Sequence, residues 1–107
     1  MIKVVLVEVN KSPVIHEIDN SLKGLQTIVG GYIESVSLPP YDRQLVLICN
    51  EEGKLIGLPP NRLLGNDVIM GTFFITKSND EGDFVSLNEG DLKLIKMKYL
   101  FDLELGG

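Results

Sequence analysis

Leu45-Val-Leu-Ile-Cys49 runs straight into Asn50-Glu-Glu-Gly-Lys-Leu-Ile-Gly-Leu-Pro-Pro-Asn-Arg62, and the chain turns apolar again from Val68 to Thr76. Arg43 to Cys49 is the most apolar stretch of the protein, which suits a central strand. The segment between the two apolar runs is built largely from turn formers. Asn50 to Gly53 reads as a turn, and Leu55 to Leu58 as a short strand or an extended loop. Pro59-Pro60-Asn-Arg-Leu-Leu64 reads as the start of a single helical turn, because proline is tolerated in a first turn. Gly71 interrupts the second apolar run and marks a bulge or a close backbone approach. A stiff, polar insertion between two strands is where recognition is expected. No residue in it specifies a reaction.

Upstream, Tyr32-Ile-Glu-Ser-Val-Ser-Leu38 alternates as a half-exposed strand, with Val36 and Leu38 on the face of Glu34. Pro39-Pro40-Tyr-Asp42 is a stiff turn that joins it to the Arg43–Cys49 strand as a hairpin. Before it, Asp19-Asn-Ser21 is a cluster of N-cap residues, and Leu22, Leu25, Ile28 and Val29 lie on one helical face. Gly30-Gly31 supplies the left-handed stop of that helix. Ile2 to Val9 is a β-branched run of strand length, and Asn10-Lys-Ser-Pro13 connects it to a shorter, more polar strand over Val14 to Ile18. Downstream, Ser78 to Asp83 is a polar loop. Ser86-Leu-Asn-Glu89 has capping-box spacing ahead of a helix whose face is Leu92, Ile95, Tyr99 and Leu103, with Gly106-Gly107 ending the chain.

The element order β-β-α-β-β-β-α, with the extra helical turn after Pro59, implies an α+β class. The expectation is one domain over residues 1–107, with a mainly antiparallel sheet of about five strands and two helices on one face. Such a sheet leaves an edge or an outer face open, and open edges are commonly paired or covered. A homo-oligomer, most simply a dimer, is expected on that ground.

The chain has 107 residues, 44% of them hydrophobic and 23% charged, the composition of an ordinary globular domain. Ten basic and fifteen acidic residues leave a net charge of −5, which opposes binding to a phosphate backbone. A nucleic-acid mimic would want dense rows of Asp and Glu; the densest patches, Glu51-Glu52 and the Asp80–Asp83 loop, leave that reading open with slight support. The longest apolar run is five residues, Leu45 to Cys49, against the roughly 20 that a membrane helix needs. The single cysteine, Cys49, excludes an internal disulfide, and its apolar setting predicts burial. With a strand pattern directly after Met1, a reduced cytoplasmic protein without a leader is expected.

Chemistry-bearing groups are sparse. His16 is the only histidine, so neither a two-histidine metal site nor a histidine-based triad with a spare can be built. The glycines form no phosphate-binding loop. The carboxylate pairs Glu51-Glu52 and Glu81 with Asp83 fall in solvated turns, where neither would stay protonated as an acid catalyst. No enzyme, no cofactor and no metal are expected. Asn61 and Arg62 remain. In one reading Arg62 pairs with a surface acid and Asn61 caps the short helical turn. In another, the prolines stiffen the backbone so that Arg62 presents its planar fork to an anion, with Asn61, Lys54 and Thr72 completing a ligand site, and in a third the same loop serves a protein–protein contact.

Four segments together, Ile2-Lys-Val-Val-Leu-Val-Glu8, Ile28-Val-Gly-Gly-Tyr-Ile-Glu34, Cys49 through Gly57-Leu-Pro-Pro-Asn-Arg62, and Gly71-Thr-Phe-Phe-Ile75, resemble the family called domain of unknown function 3846. The resemblance spans nearly the whole chain, with Gly90 departing from the helix-friendly residue expected there. It implies a phage or mobile-element setting in which small acidic proteins interfere with host defence, and it carries no catalytic residue. The functional expectation is a small non-enzymatic protein that sequesters an anionic, nucleotide-like molecule. The alternative is a protein-interaction module or inhibitor acting through its acidic surface, in either case without direct nucleic-acid or membrane binding.

Overall fold

The computed structural model describes residues 1–64 and 66–100. Its elements are β1 (Ile2–Val7), β2 (Val14–Ile18), α1 (Leu22–Val29), β3 (Ile33–Ser37), a 3₁₀ turn (Tyr41–Arg43), β4 (Leu45–Asn50), β5 (Pro60–Leu64), β6 (Asp67–Met70), β7 (Phe73–Ser78), β8 (Phe84–Val85), α2 (Glu89–Ile95) and a π-helical turn (Lys96–Leu100). The class is α+β, as expected. One antiparallel sheet runs β2-β1-β7-β4-β3, with β8 added beside β7 as a sixth strand. β5 and β6 form a separate two-stranded hairpin. Leu103 and the terminal Gly106-Gly107 lie outside the described residues.

Strand alternation divides the core in two. Val5, Val7, Leu45, Leu47, Cys49, Phe73 and Ile75 point to one face, whereas Ile2, Val4, Val46, Ile48 and Phe74 point to the other. The second face is covered by Leu25 and Val29 of α1. The first is covered by Ile95 of α2, Tyr99 of the π-helical turn and Ile69 of the β5–β6 hairpin. The two helices therefore lie on opposite faces, not on one. The cause is visible in β4 and β7, which carry large apolar side chains on both faces. With about 25 cal/mol at stake per Å² of apolar surface, neither face can be left wet. All six residues of β4 are buried accordingly.

Other expectations change for local reasons. Pro60 to Leu64 is a strand and not a helical turn, because its partner β6 is at hand to take its backbone hydrogen bonds. Val68 to Thr76 is two strands. Gly71 adopts φ +78 and ends β6, so the chain leaves the hairpin and re-enters as β7 in the centre of the main sheet. Residues 51–57 form consecutive turns and contain no strand. Leu22, placed on the helical face by its spacing, is 62% exposed.

The helix ends follow from their cap residues. Ser21 accepts from the Gly24 amide, and Gly30 closes α1 in the left-handed conformation, its N–H donating to Gln26. At α2 the cap is Asn88 and not Ser86. Asn88 Oδ1 accepts from the Asp91 amide, while Asp91 Oδ2 accepts from the Asn88 amide. Ser86 is drawn off to accept from the Lys3 backbone. Asp91 is fully buried, and Lys77 of β7 stands 3.2 Å from its carboxylate, with Arg43 of the 3₁₀ turn at 3.8 Å. One carboxylate thus caps α2 and fastens it to the sheet.

Removing one partner of a buried ion pair costs far more than removing a surface charge. Asp91→Ala is expected to destabilise the fold by roughly 3 kcal/mol. Glu89→Ala, at the position the capping-box spacing selects, should cost under about 0.5 kcal/mol. Urea unfolding midpoints of the two variants check this ranking.

Candidate functional site

Asn61 and Arg62 enter β5 behind Pro59-Pro60, and both are buried. The Asn61 amide donates one hydrogen bond to the Val7 carbonyl at the end of β1 (2.9 Å) and another to the Gly71 carbonyl at the β6–β7 junction (2.8 Å). Its own Oδ1 accepts from Arg62 Nη1 at 2.9 Å, as does its backbone carbonyl at 3.2 Å. Arg62 Nη2 donates to the Lys11 carbonyl in the β1–β2 turn at 2.7 Å. Asn61 thus caps no helix, and none of the ion pairs found among the described residues involves Arg62. Arg62 is 7% exposed, and its guanidinium is solvated by carbonyls, with Nε left without a partner. Its fork faces inward and holds the hairpin against the sheet.

The two other expected ligand residues do not join this cluster. Lys54 is exposed and pairs with Asp67 of β6. Thr72 follows Gly71 and is half-buried in the crossing from β6 to β7. His16 and Cys49 are kept apart by the sheet order, since β1 and β7 lie between their strands.

Fastening the hairpin creates a cleft of about 530 Å³ between β3, the end of β4, the turns after it, and β6. Its floor contains Cys49 and Ile69, both buried. Three carboxylates, Glu34, Glu51 and Asp67, line it against the single cation of Lys54, which Asp67 already engages. The apolar rim is Val36, Leu55 and Val68, with relative exposures of 38%, 83% and 39%. The cleft is negative and edged with exposed hydrocarbon, the reverse of an anion receptor.

Cys49 registers that field. Its thiol donates to Glu34 Oε2 at 3.8 Å, and its pKa is pushed up to about 11, first by burial and then by the Glu34 charge. A thiol held protonated in this way is a poor nucleophile. Asn50, beside it, donates to the Val29 carbonyl and accepts from the Glu52 amide, joining α1 to the wall of the cleft.

Sequence reasoning selected Asn61 and Arg62, which the fold uses internally, and passed over Glu34 and Asp67. The signal for Glu34 was present, since alternation sets it on the same face as Val36. The sequence held no corresponding signal that β3 lies at the margin of the sheet.

The family model described as Domain of unknown function (DUF3846) matches residues 2–100 of the 107-residue chain, and the protein belongs to that family. No curated protein and no solved structure matches it. The segments that carried the resemblance now have structural roles. Gly30 ends α1, Asn61 and Arg62 clip the hairpin, and Gly71 turns the chain between sheets.

Asn61→Leu leaves the Val7 and Gly71 carbonyls and Arg62 Nη1 short of partners, and should lower stability by about 3 kcal/mol. Lys54→Ala, in an exposed pair, should change it by less than about 1 kcal/mol. Both are read from denaturant titrations. For Cys49 the folded thiol ionises later than the unfolded one. Its contribution to stability is thus complete below pH 9.0 and is lost as the pH rises toward about 11. Cys49→Ala should flatten the fall in unfolding free energy across that window.

Proposed function

We propose that this protein is a non-enzymatic interaction module that recognises another protein through its acidic cleft. One observation carries the reading: the cleft between β3 and the β5–β6 hairpin has three carboxylates, one already neutralised lysine and a rim of exposed apolar side chains. Charge of one sign around exposed hydrocarbon is the composition of a docking surface for a basic, partly apolar partner. Within a phage or mobile-element setting, and in a reducing cytoplasm that keeps Cys49 a free thiol, the partner would be a component of host defence that the module inhibits.

A second reading, sequestration of an anionic nucleotide-like molecule, draws support from one feature. Arg62 is a buried cation whose Nε lacks a hydrogen-bond partner, and no carboxylate stands within ion-pair distance of it among the described residues. Binding there would require an anion to displace the Lys11 or Asn61 carbonyls from the terminal nitrogens. The observations weigh toward the protein partner.

The two readings separate in one comparison. Tagged protein expressed in its host is expected to retain one protein at low ionic strength and to release it at high ionic strength. The Glu34→Gln/Glu51→Gln variant should lose that protein while keeping the wild-type unfolding midpoint. Calorimetry with cyclic dinucleotides and ADP-ribose derivatives should show no heat of binding. Nucleotide binding abolished by Arg62→Met, with no charge-dependent protein partner, would reverse the assignment.

A further inference from the structure

The margin of the sheet beside the cleft is set up for strand addition. β3 is the last strand on its side, paired only with β4 among the described residues. Tyr32 accepts from the Glu51 amide and the Leu38 amide donates to Leu45, and hydrogen-bonded pairs alternate along an antiparallel ladder. Glu34 and Val36 therefore direct their backbone groups to β4, opposite Cys49 and Leu47, whereas Ile33, Ser35 and Ser37 direct theirs outward. The outward edge is open: Glu34 to Ser37 are all exposed, and the strand carries neither lysine nor proline, the usual protections of an edge. The side chains of Glu34 and Val36, in turn, face the cleft.

We infer that β3 accepts an extended peptide segment as an additional antiparallel strand, with a lysine or arginine opposite Glu34 and an apolar residue opposite Val36. A strand added there places alternate side chains on the cleft side, between β3 and the wall formed by Asp67 and Val68 of β6. Main-chain hydrogen bonds to Ile33, Ser35 and Ser37 provide attachment without regard to sequence, and the two inward positions provide the choice of partner. The preference for a basic residue comes from complementarity with the Glu34 and Asp67 carboxylates, and the need for an apolar one from the exposed Val36 and Val68. The inference rests on the interaction-module reading and gives its partner a conformation and a residue pattern.

The probe is a fluorescent synthetic peptide of roughly six residues, the usual strand length, alternating lysine and valine with threonine between them. It should bind at low ionic strength, and the Ile33, Ser35 and Ser37 amides should gain protection from hydrogen exchange. Ser35→Pro removes one outward N–H while sparing the bonds to β4, and should abolish binding in a domain with wild-type circular dichroism. An otherwise identical peptide, N-methylated at the residues that bond β3, tests the same bonds with the protein untouched and should also fail. Glu34→Lys should weaken binding by about tenfold or more and admit a peptide carrying glutamate in place of lysine. Binding that survives both Ser35→Pro and N-methylation would overturn strand addition. So would a peptide that fails to bind while Glu34→Gln/Glu51→Gln still releases the cellular partner, a result that leaves the interaction-module reading standing. A dimer in sedimentation that Ser35→Pro dissociates would assign the edge to a second copy and equally overturn the proposal.

Discussion

The Asn61 side-chain amide holds together parts of the chain that are otherwise independent. Its two N–H groups go to carbonyls of β1 and of the β6–β7 junction, and its oxygen accepts from the guanidinium that also reaches the β1–β2 turn. A two-stranded hairpin has little stability by itself. Seated by these bonds, β5–β6 delivers Ile69 to the core and becomes the outer wall of a cleft. Buried polar groups of this kind are costly when incomplete, so the clip and the cleft stand or fall together.

Seen from that constraint, the distribution of charge has a simple logic. The cations with buried contacts are committed inside the molecule: Arg62 to carbonyls, Lys77 and Arg43 to Asp91. Carboxylates at β3, after β4 and on β6 remain at the surface around exposed apolar atoms. Three carboxylates, Glu34, Glu51 and Asp67, against the single lysine Lys54 thus stand where the sheet has an open margin. The cysteine under that margin is held protonated, which suits a floor for packing and not a nucleophile. No helix among the described residues is long and apolar enough to cross a membrane.

Periodicity and capping chemistry made much of the architecture legible. The hairpins β1–β2 and β3–β4, the Ser21 cap, the Gly30 stop and the α+β class all follow from apolar alternation, turn chemistry and capping between elements adjacent along the chain. The errors share a different cause. Pro60–Leu64 became a strand because β6 was there to pair with it, and Ser86 lost its capping role because Lys3, far away in sequence, claimed its hydroxyl. Arg62 illustrates the same limit at the site. A guanidinium behind two prolines has one appearance whether it faces solvent or three carbonyls.

The sequence by itself determined the strands β1 to β4, both helices, the burial of Cys49 and a break at Gly71, because those outcomes depend on local sterics and on the alternation of apolar residues. Tertiary structure alone decided that β7 passes between β1 and β4, that the helices cover opposite faces, and that β3 ends the sheet. Strand order and edge position are set by contacts between residues distant in the chain, and no local pattern encodes them. Glu34 and Val36 were readable as neighbours on one face; only the assembled sheet placed them beside a cleft at an unpaired edge.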